Sequence, residues 1–254
     1  MPIGLTLDER VATLTLDRPE KLNALDISHF EAFASKLDEV AADPRICAVI
    51  LTGSGSRAFC VGVDIAELSL GDADESARRV ALRQQVNEKL ANLPVPSVAV
   101  IDGLAMGGGV ELALSCTFRL ATQRARFSMP EIKLGLIPGG GGTQRLPRLL
   151  GPSRALQLML SGRTIEAEEA LSLGIVDQLV DDAKEGARAF VNQWTSYSRA
   201  AVSALLTAVR APTVSMEQGL AVEAAELNRV LQGPGAKEGV TAFLEKRSPD
   251  FKGF

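Results

Sequence analysis

The sequence predicts an α/β fold with a helical C-terminal end. Three observations carry this: β-branched or apolar runs of strand length, apolar residues at helical spacing between them, and loss of strand signal after about residue 152. Residues 11–16 alternate as VATLTL and close at Asp17-Arg18-Pro19, a turn signal. Ile27, Phe30, Phe33, Leu37 and Val40 mark one face of a helix over 27–42, ended by Asp43-Pro44, with Ser28 to Glu31 reading as its capping box. A buried strand over 48–52 is closed by Gly53-Ser54-Gly55. The cycle then repeats: a helix over about 75–92, a strand over 97–101 ending at Asp102-Gly103, and a glycine-rich turn. An apolar helix over about 108–115 and a strand over 118–121 follow. Further on, helices are expected near 153–161, 167–173, 182–210, 215–231 and 235–247, with breaks at Pro212 and Gly233-Pro234-Gly235. Ala221, Ala225, Leu227, Val230 and Leu231 give the final helices an apolar face available for burial.

A chain of 254 residues can bury a sizeable core, as one large domain or a main domain with a small appendage. Hydrophobic residues at 46% and charged residues at 23% are the balance of a folded globular protein and argue against disorder. No apolar run is long enough to span a bilayer, and the Met-Pro-Ile-Gly start lacks a signal-peptide pattern, so no membrane association is expected. A net charge of −4 offers no general attraction to nucleic acid. Cys47, Cys60 and Cys116 are odd in number and far apart, which fits neither a disulfide framework nor zinc spacing; the expected compartment is the cytoplasm. The one histidine, His29, reads as a helix-start residue. Histidine-rich metal sites are thereby excluded, a Ser-His-Asp triad has no nucleophile segment to draw on, and no metal is expected.

Chemistry is suggested by Glu111 in MGGGVELAL and Glu131 in SMPEIKLGLIPGGGG. A carboxylate among apolar residues and glycines is costly to desolvate and tends towards a raised pKa. Two in one site can hold a water and divide acid and base roles. The glycines of 107–109 lead into a helix, leaving unpaired amides at a positive dipole end that suit a phosphate or a developing oxyanion. The same stretch also reads as a plain strand-to-helix turn with an acid in its first helical turn. It is not a dinucleotide fingerprint, because G-x-G-x-x-G fails between Ala105 and Val110, and the chain has no P-loop. In RAFCVGVDI, Asp64 reads as a helix N-cap leading into a helix. Gly139–Gly142 make a mobile or a closely approached loop, with another helix beginning after them.

Taken in order, these segments resemble the crotonase superfamily, most closely the enoyl-CoA hydratases. The resemblance runs from Arg18-Pro19-Glu20-Lys21-Leu22-Asn23-Ala24-Leu25 through 58–65, 102–111 and 127–145 to Ala242-Phe243-Leu244-Glu245-Lys246-Arg247. It implies a crotonase-like spiral of ββα units with a C-terminal helical trimerisation region: residues 1–195 as the core with the active site, 196–254 as the oligomerisation region. A homotrimer or hexamer and an acyl-CoA thioester substrate are implied, with no cofactor beyond the CoA that the substrate carries. By position, Val63 and Gly108 would supply the oxyanion-hole amides, and Glu111 and Glu131 would be the catalytic base and acid of a hydration. Lys21, Ala24, Val63, Asp64, Ile65 and Gly108 match substrate-binding positions, and Phe243 and Lys246 match a C-terminal pair that reaches the nucleotide end. Val61 and Val63 depart from the small residues usual there, and Thr117 stands where an acid is frequent, which reads as structural. The alternatives are a crotonase-fold isomerase or other acyl-CoA lyase, and a non-catalytic acyl-CoA-binding scaffold.

Overall fold

The computed structural model describes residues 3–65, 73–211 and 215–251. β1 (Ile3–Asp8) and β2 (Val11–Leu16) form an antiparallel hairpin, followed by α1 (Ile27–Ala42). Three repeats come next. The first is β3 (Ala48–Gly53), β4 (Ala58–Cys60) and α2 (Ala73–Ala91); the second is β5 (Ser97–Ile101), β6 (Leu104–Met106) and α3 (Gly108–Ser115). The third is β7 (Phe118–Ala121), β8 (Arg126–Ser128) and α4 (Gly142–Leu150). The chain continues through α5 (Pro152–Ser161), β9 (Ile165–Glu166), α6 (Ala167–Leu173), β10 (Gln178–Leu179) and α7 (Ala183–Val191). It then runs through α8 (Arg199–Arg210), α9 (Met216–Leu231) and α10 (Pro234–Leu244).

The strands sort into two sheets, in the orders β1-β2-β3-β5-β7-β10 and β4-β6-β8-β9. Each repeat therefore gives its first strand to one sheet and its second to the other, in parallel pairing, and the helix returns the chain for the next turn. This is a spiral of ββα units. β5 sits between β3 and β7 with all five residues buried, which is why its sequence is an unbroken run rather than an alternation. One face of the larger sheet packs into the main core with Phe33, Phe59 and Leu112. The other face is covered by Ala187 and Val191 of α7, beside the ring cluster of Phe118, Phe190 and Trp194.

Three local expectations are corrected. The stretch 104–106 is a strand between glycines, not a turn; at three residues it is too short to show a period. α1 is capped by Asp26, whose extended backbone lets its carboxylate accept from the His29 amide at 3.1 Å; Ser28 lies inside the helix and donates to Asp26 at 2.6 Å. The helix expected over 182–210 is two, because α7 stops on the aromatic cluster and Ser198 starts α8 by accepting from the Ala201 amide. The hairpin strand β1, the three-residue strands β4 and β8 and the two-residue strands β9 and β10 gave no signal of their own. Pro212, and the helix expected after Asp64-Ile65, lie outside the described residues.

α8 is fastened to the core by arginines that reach backbone and hydroxyl oxygens. Arg199 Nε donates to Ile46 O at 2.9 Å, and Arg210 donates to Leu93 O and Thr117 Oγ1, each at 2.8 Å. Thr117 also accepts from the Ser97 amide at 3.1 Å, so it joins this helix to the start of β5. A close approach serves the site: a Cβ on Gly109 would stand 2.0 Å from Cys60 O, so α3 packs backbone against backbone on β4. Gly109→Ala must push them apart. It is expected to cost about 1–3 kcal/mol of stability, the range for overpacking, and to lower the urea midpoint without changing the slope.

Candidate active site

Glu111 lies in the first turn of α3, 4% exposed. Its Oε1 accepts from the amides of Gly140 and Gly142, both at 2.8 Å. That grip requires glycine. A Cβ on Gly140 would stand 2.7 Å from Glu111 Oε2, and one on Gly142 would stand 3.0 Å from Oε1. With Oε1 doubly occupied, Oε2 is the oxygen left to meet a ligand. Glu131 opens a 3-10 turn (Glu131–Leu134), and its Oε1 lies 3.0 Å from where a Cβ on Gly107 would be, at the N-terminus of α3. Its Oε2 is buried and, among the described residues, has no hydrogen-bond partner.

Burial pushes both carboxyls above their ordinary range, but the opposing influences differ. For Glu111, the two glycine amides and the positive charges of Arg83 and Arg145 pull it back down. For Glu131, its own backbone amide lowers the pKa, while repulsion from Glu111 adds to the rise. The charge of Glu111 is thus felt at Glu131. The glycine amides and the two arginines favour charge on Glu111, whereas repulsion from Glu111 favours the proton on Glu131.

The second feature is a pair of backbone amides. A Cβ on Gly108 would lie 3.6 Å from Val63 N, and one on Gly62 would lie 2.8 Å from Gly108 N. Val63 pairs with Leu25 in a single parallel bridge, which uses the Gly62 carbonyl and the Asp64 amide and leaves Val63's own amide unspent. Gly108 is the first residue of α3, where amides have no partner within the helix. Among the described residues neither amide has an acceptor. The remaining thiols do not compete as nucleophiles: burial pushes Cys60 and Cys116 up to about 12.

A strap over residues 18–26 holds this arrangement. Arg18 pairs with Asp64 at 3.0 Å and with Asp26 at 3.5 Å, and donates to Ala24 O at 3.2 Å. Asp64 is thus committed to Arg18 through its side chain. Asn23, buried and left-handed at φ 58°, donates to Ser54 O and Ala58 O and accepts from the Arg18 amide. Lys21 ends a 3-10 turn on this strap, Ala24 is buried under it, and Ile65 is 69% exposed at the end of the Val63 segment. Phe243 is 82% exposed, with Lys246 just beyond the end of α10, and α10 packs on α8 and α9. No hydrogen bond or ion pair among the described residues joins these two to the carboxylate pair.

Sequence reasoning missed Asn87. It is 2% exposed on α2, and its Nδ2 donates to Gly140 O at 2.6 Å, holding the peptide whose amide grips Glu111. Its Oδ1 is buried without a partner among the described residues. An asparagine amid LRQQVNEKL on a charged helix carries no local signal; only the approach of the 139–142 loop makes it part of the site.

The chain is similar to known proteins over nearly its whole length. Residues 6–253 match the family described as "Enoyl-CoA hydratase/isomerase". The chain is 40% identical over 256 residues to a Bacillus subtilis protein named "Probable enoyl-CoA hydratase", covering 99% of this chain and 98% of that one. It is 36% identical to the short-chain-enoyl-CoA hydratase of Clostridium acetobutylicum, covering 96% of this chain and 94% of the relative. The crystal structure of an enoyl-CoA hydratase from Bacillus anthracis superposes with a TM-score of 0.95 at 34% identity, over 100% of both chains.

The raised pKa of Glu131 has a stability consequence. Folding favours its protonated form, so the cost of burying the charge is absent below its ordinary value of 4.5 and fully present once pH rises through the folded-state pKa. Glu131→Gln should therefore be more stable than the parent at about pH 8, with the advantage fading as the pH is lowered to about 4. Urea unfolding across that range reads it.

Proposed function

The chain belongs to the enoyl-CoA hydratase/isomerase family, and we propose that it catalyses reversible syn addition of water to a trans-2-enoyl-CoA, giving the 3-hydroxyacyl-CoA. The observation that carries this reading is the asymmetry of the two buried glutamates. Glu111, whose charge is favoured by two amides and two arginines against its burial, orients a water through Oε2 and takes its proton as oxygen bonds to C3. Glu131, whose protonated form is favoured by burial and by the charge of Glu111, delivers its proton to C2. One proton is received and one given, so the reverse dehydration uses the same pair with roles exchanged. Between these steps the electron pair of the C2–C3 bond is displaced towards the thioester oxygen. The Val63 and Gly108 amides are aimed at that oxygen, and each donor of this kind contributes roughly 3 kcal/mol to such a transition state. The helix dipole of α3 adds to the positive field there. Nothing in the sequence of steps calls for a cofactor besides the CoA of the substrate.

For substrate binding, Lys21 on the strap is proposed to meet the CoA phosphates, with Ala24, Asp64 and Ile65 forming the groove edge. Phe243 and Lys246 are proposed to reach the nucleotide end across a subunit boundary. A homotrimer, or a pair of trimers, is proposed from the apolar surface of the C-terminal helices. α9 buries no residue within the single chain, yet Leu220, Leu227 and Leu231 line it, and Leu205 and Val209 of α8 are also exposed. Among the described residues no helix is long and apolar enough to cross a membrane. The proposed compartment is the cytoplasm, where three unpaired cysteines are at home.

Glu111→Gln and Glu131→Gln should each slow hydration by ~100- to 10,000-fold while CoA binding is nearly retained. The loss of absorbance of the conjugated thioester measures the rate. Parent-like turnover in either variant would remove that residue from its role, and double-bond migration without water addition would make the protein an isomerase. Sedimentation at working concentration should show the trimer or its dimer; a monomer would sink the assembly proposal.

A further inference from the structure

Arg83 of α2 favours the charge of Glu111 from a distance, and its own surroundings are unusual. It lies one helical turn before Asn87, on the same face, and its Nη2 is 3.9 Å from where a Cβ on Gly139 would be, beside the loop that grips Glu111. Its Nε donates to Arg79 O at 3.3 Å. Neighbouring arginines have carboxylates: Arg79 pairs with Glu75, and Arg145 with Glu88 at 2.7 Å. Among the described residues no carboxylate lies within ion-pair distance of Arg83. Burial depresses its pKa, Glu111 opposes that, and the like charge of Arg79 adds to it. A half-buried guanidinium beside another cation is unfavourable unless an anion completes the site. Glu111 does not serve as that anion throughout, since its Oε1 belongs to the glycine amides and the carboxylate is neutralised by a proton in each turnover.

We propose that Arg83 binds a carboxylate carried by the acyl chain, so that the favoured substrates are trans-2-enoyl-CoAs with an acidic group just beyond the double bond. This rests on the hydratase reading, because Glu111 at C3 and the two amides at the thioester oxygen fix how the chain lies. In trans-glutaconyl-CoA the carboxylate carbon is two bonds beyond C3, which brings it to the surroundings of Glu111. Left alone, it would face two glutamates. The guanidinium offsets that repulsion and offers a planar fork of donors that matches a carboxylate in two parallel hydrogen bonds. A CoA ester of the same length ending in a methyl group has nothing to give Arg83.

Two measurements test the proposal, each on the parent enzyme, Arg83→Met and Arg83→Lys, with folding checked by circular dichroism. The first is the ratio of kcat/KM for trans-glutaconyl-CoA to that for trans-2-pentenoyl-CoA. The second is the ratio of binding constants, by calorimetry, for glutaryl-CoA and valeryl-CoA, which have no double bond to hydrate. Any effect of Arg83 on Glu111 itself slows both enoyl substrates and cancels in the ratio. The parent should favour the carboxylated ligand by about tenfold or more in both ratios, the methionine variant should bring them close to one, and lysine should recover part. Equal handling of the two classes by the parent, or a preference unchanged in Arg83→Met, overturns the proposal. Hydration of pentenoyl-CoA with no preference for glutaryl-CoA leaves the hydratase standing and removes the carboxylate site. An Arg83-dependent preference for glutaryl-CoA without hydration of either substrate does the reverse.

Discussion

The site depends on one interaction: two backbone amides holding one oxygen of a buried carboxylate. Gly140 and Gly142 donate to Glu111 Oε1 from a loop that reaches the glutamate only because it has no side chains there. Burial alone would drive Glu111 towards its protonated form, in which it is no base. The two amides counter this without filling Oε2, so the group is both charged enough and free enough to act. Much of the neighbouring structure serves this contact. Asn87 holds the Gly140 carbonyl, Gln84 donates to Gly139 O at 3.1 Å, and Arg145 donates to Gly140 O at 3.2 Å.

The second half of the site is also made from backbone. The Val63 and Gly108 amides are available because one terminates a parallel bridge and the other begins a helix, two places where the hydrogen-bond pattern leaves a donor over. Their separation is set by the contact of Gly62 with Gly108 and of Gly109 with Cys60, and the strap from Arg18 to Asp26 locks that contact. A valine at position 63 is compatible with this, since the role proposed for it falls to its amide while its side chain packs against the main core.

Long, strongly patterned elements were legible in the sequence. The helix over 27–42 and the strands over 11–16, 97–101 and 118–121 have the bounds that their apolar patterns and flanking turn residues suggested. What escaped were elements too short to show a period, such as β4, β6 and β8, and these three form the second sheet. Their strand character comes from pairing with one another in space. In the same way Glu111 and Glu131 could be singled out by their glycine-rich surroundings, and the structure brings them to one place. Asn87, Asn23 and the Arg18–Asp64 pair could not, because each matters through residues 30 to 60 positions away in sequence. The cap of α1 went to Asp26 rather than Ser28 because capping follows backbone geometry, and two polar residues so close together look alike in sequence.

The parts that perform chemistry and the parts that can choose a substrate are built differently. The grip on Glu111, the two free amides and the start of α3 all rest on close backbone contacts, where a single added methyl group would collide with a carbonyl or a carboxylate. Such a framework cannot change in small steps. α2, by contrast, meets the site through the side chains of Arg83, Gln84 and Asn87, whose replacement need not move the backbone. A cation at position 83 bears on an incoming acyl chain without forming part of the amide network that fixes the carboxylate. The same chemistry can therefore be directed to acyl chains of different charge by altering one helix face, while the costly burial of two interacting carboxyls is kept unchanged.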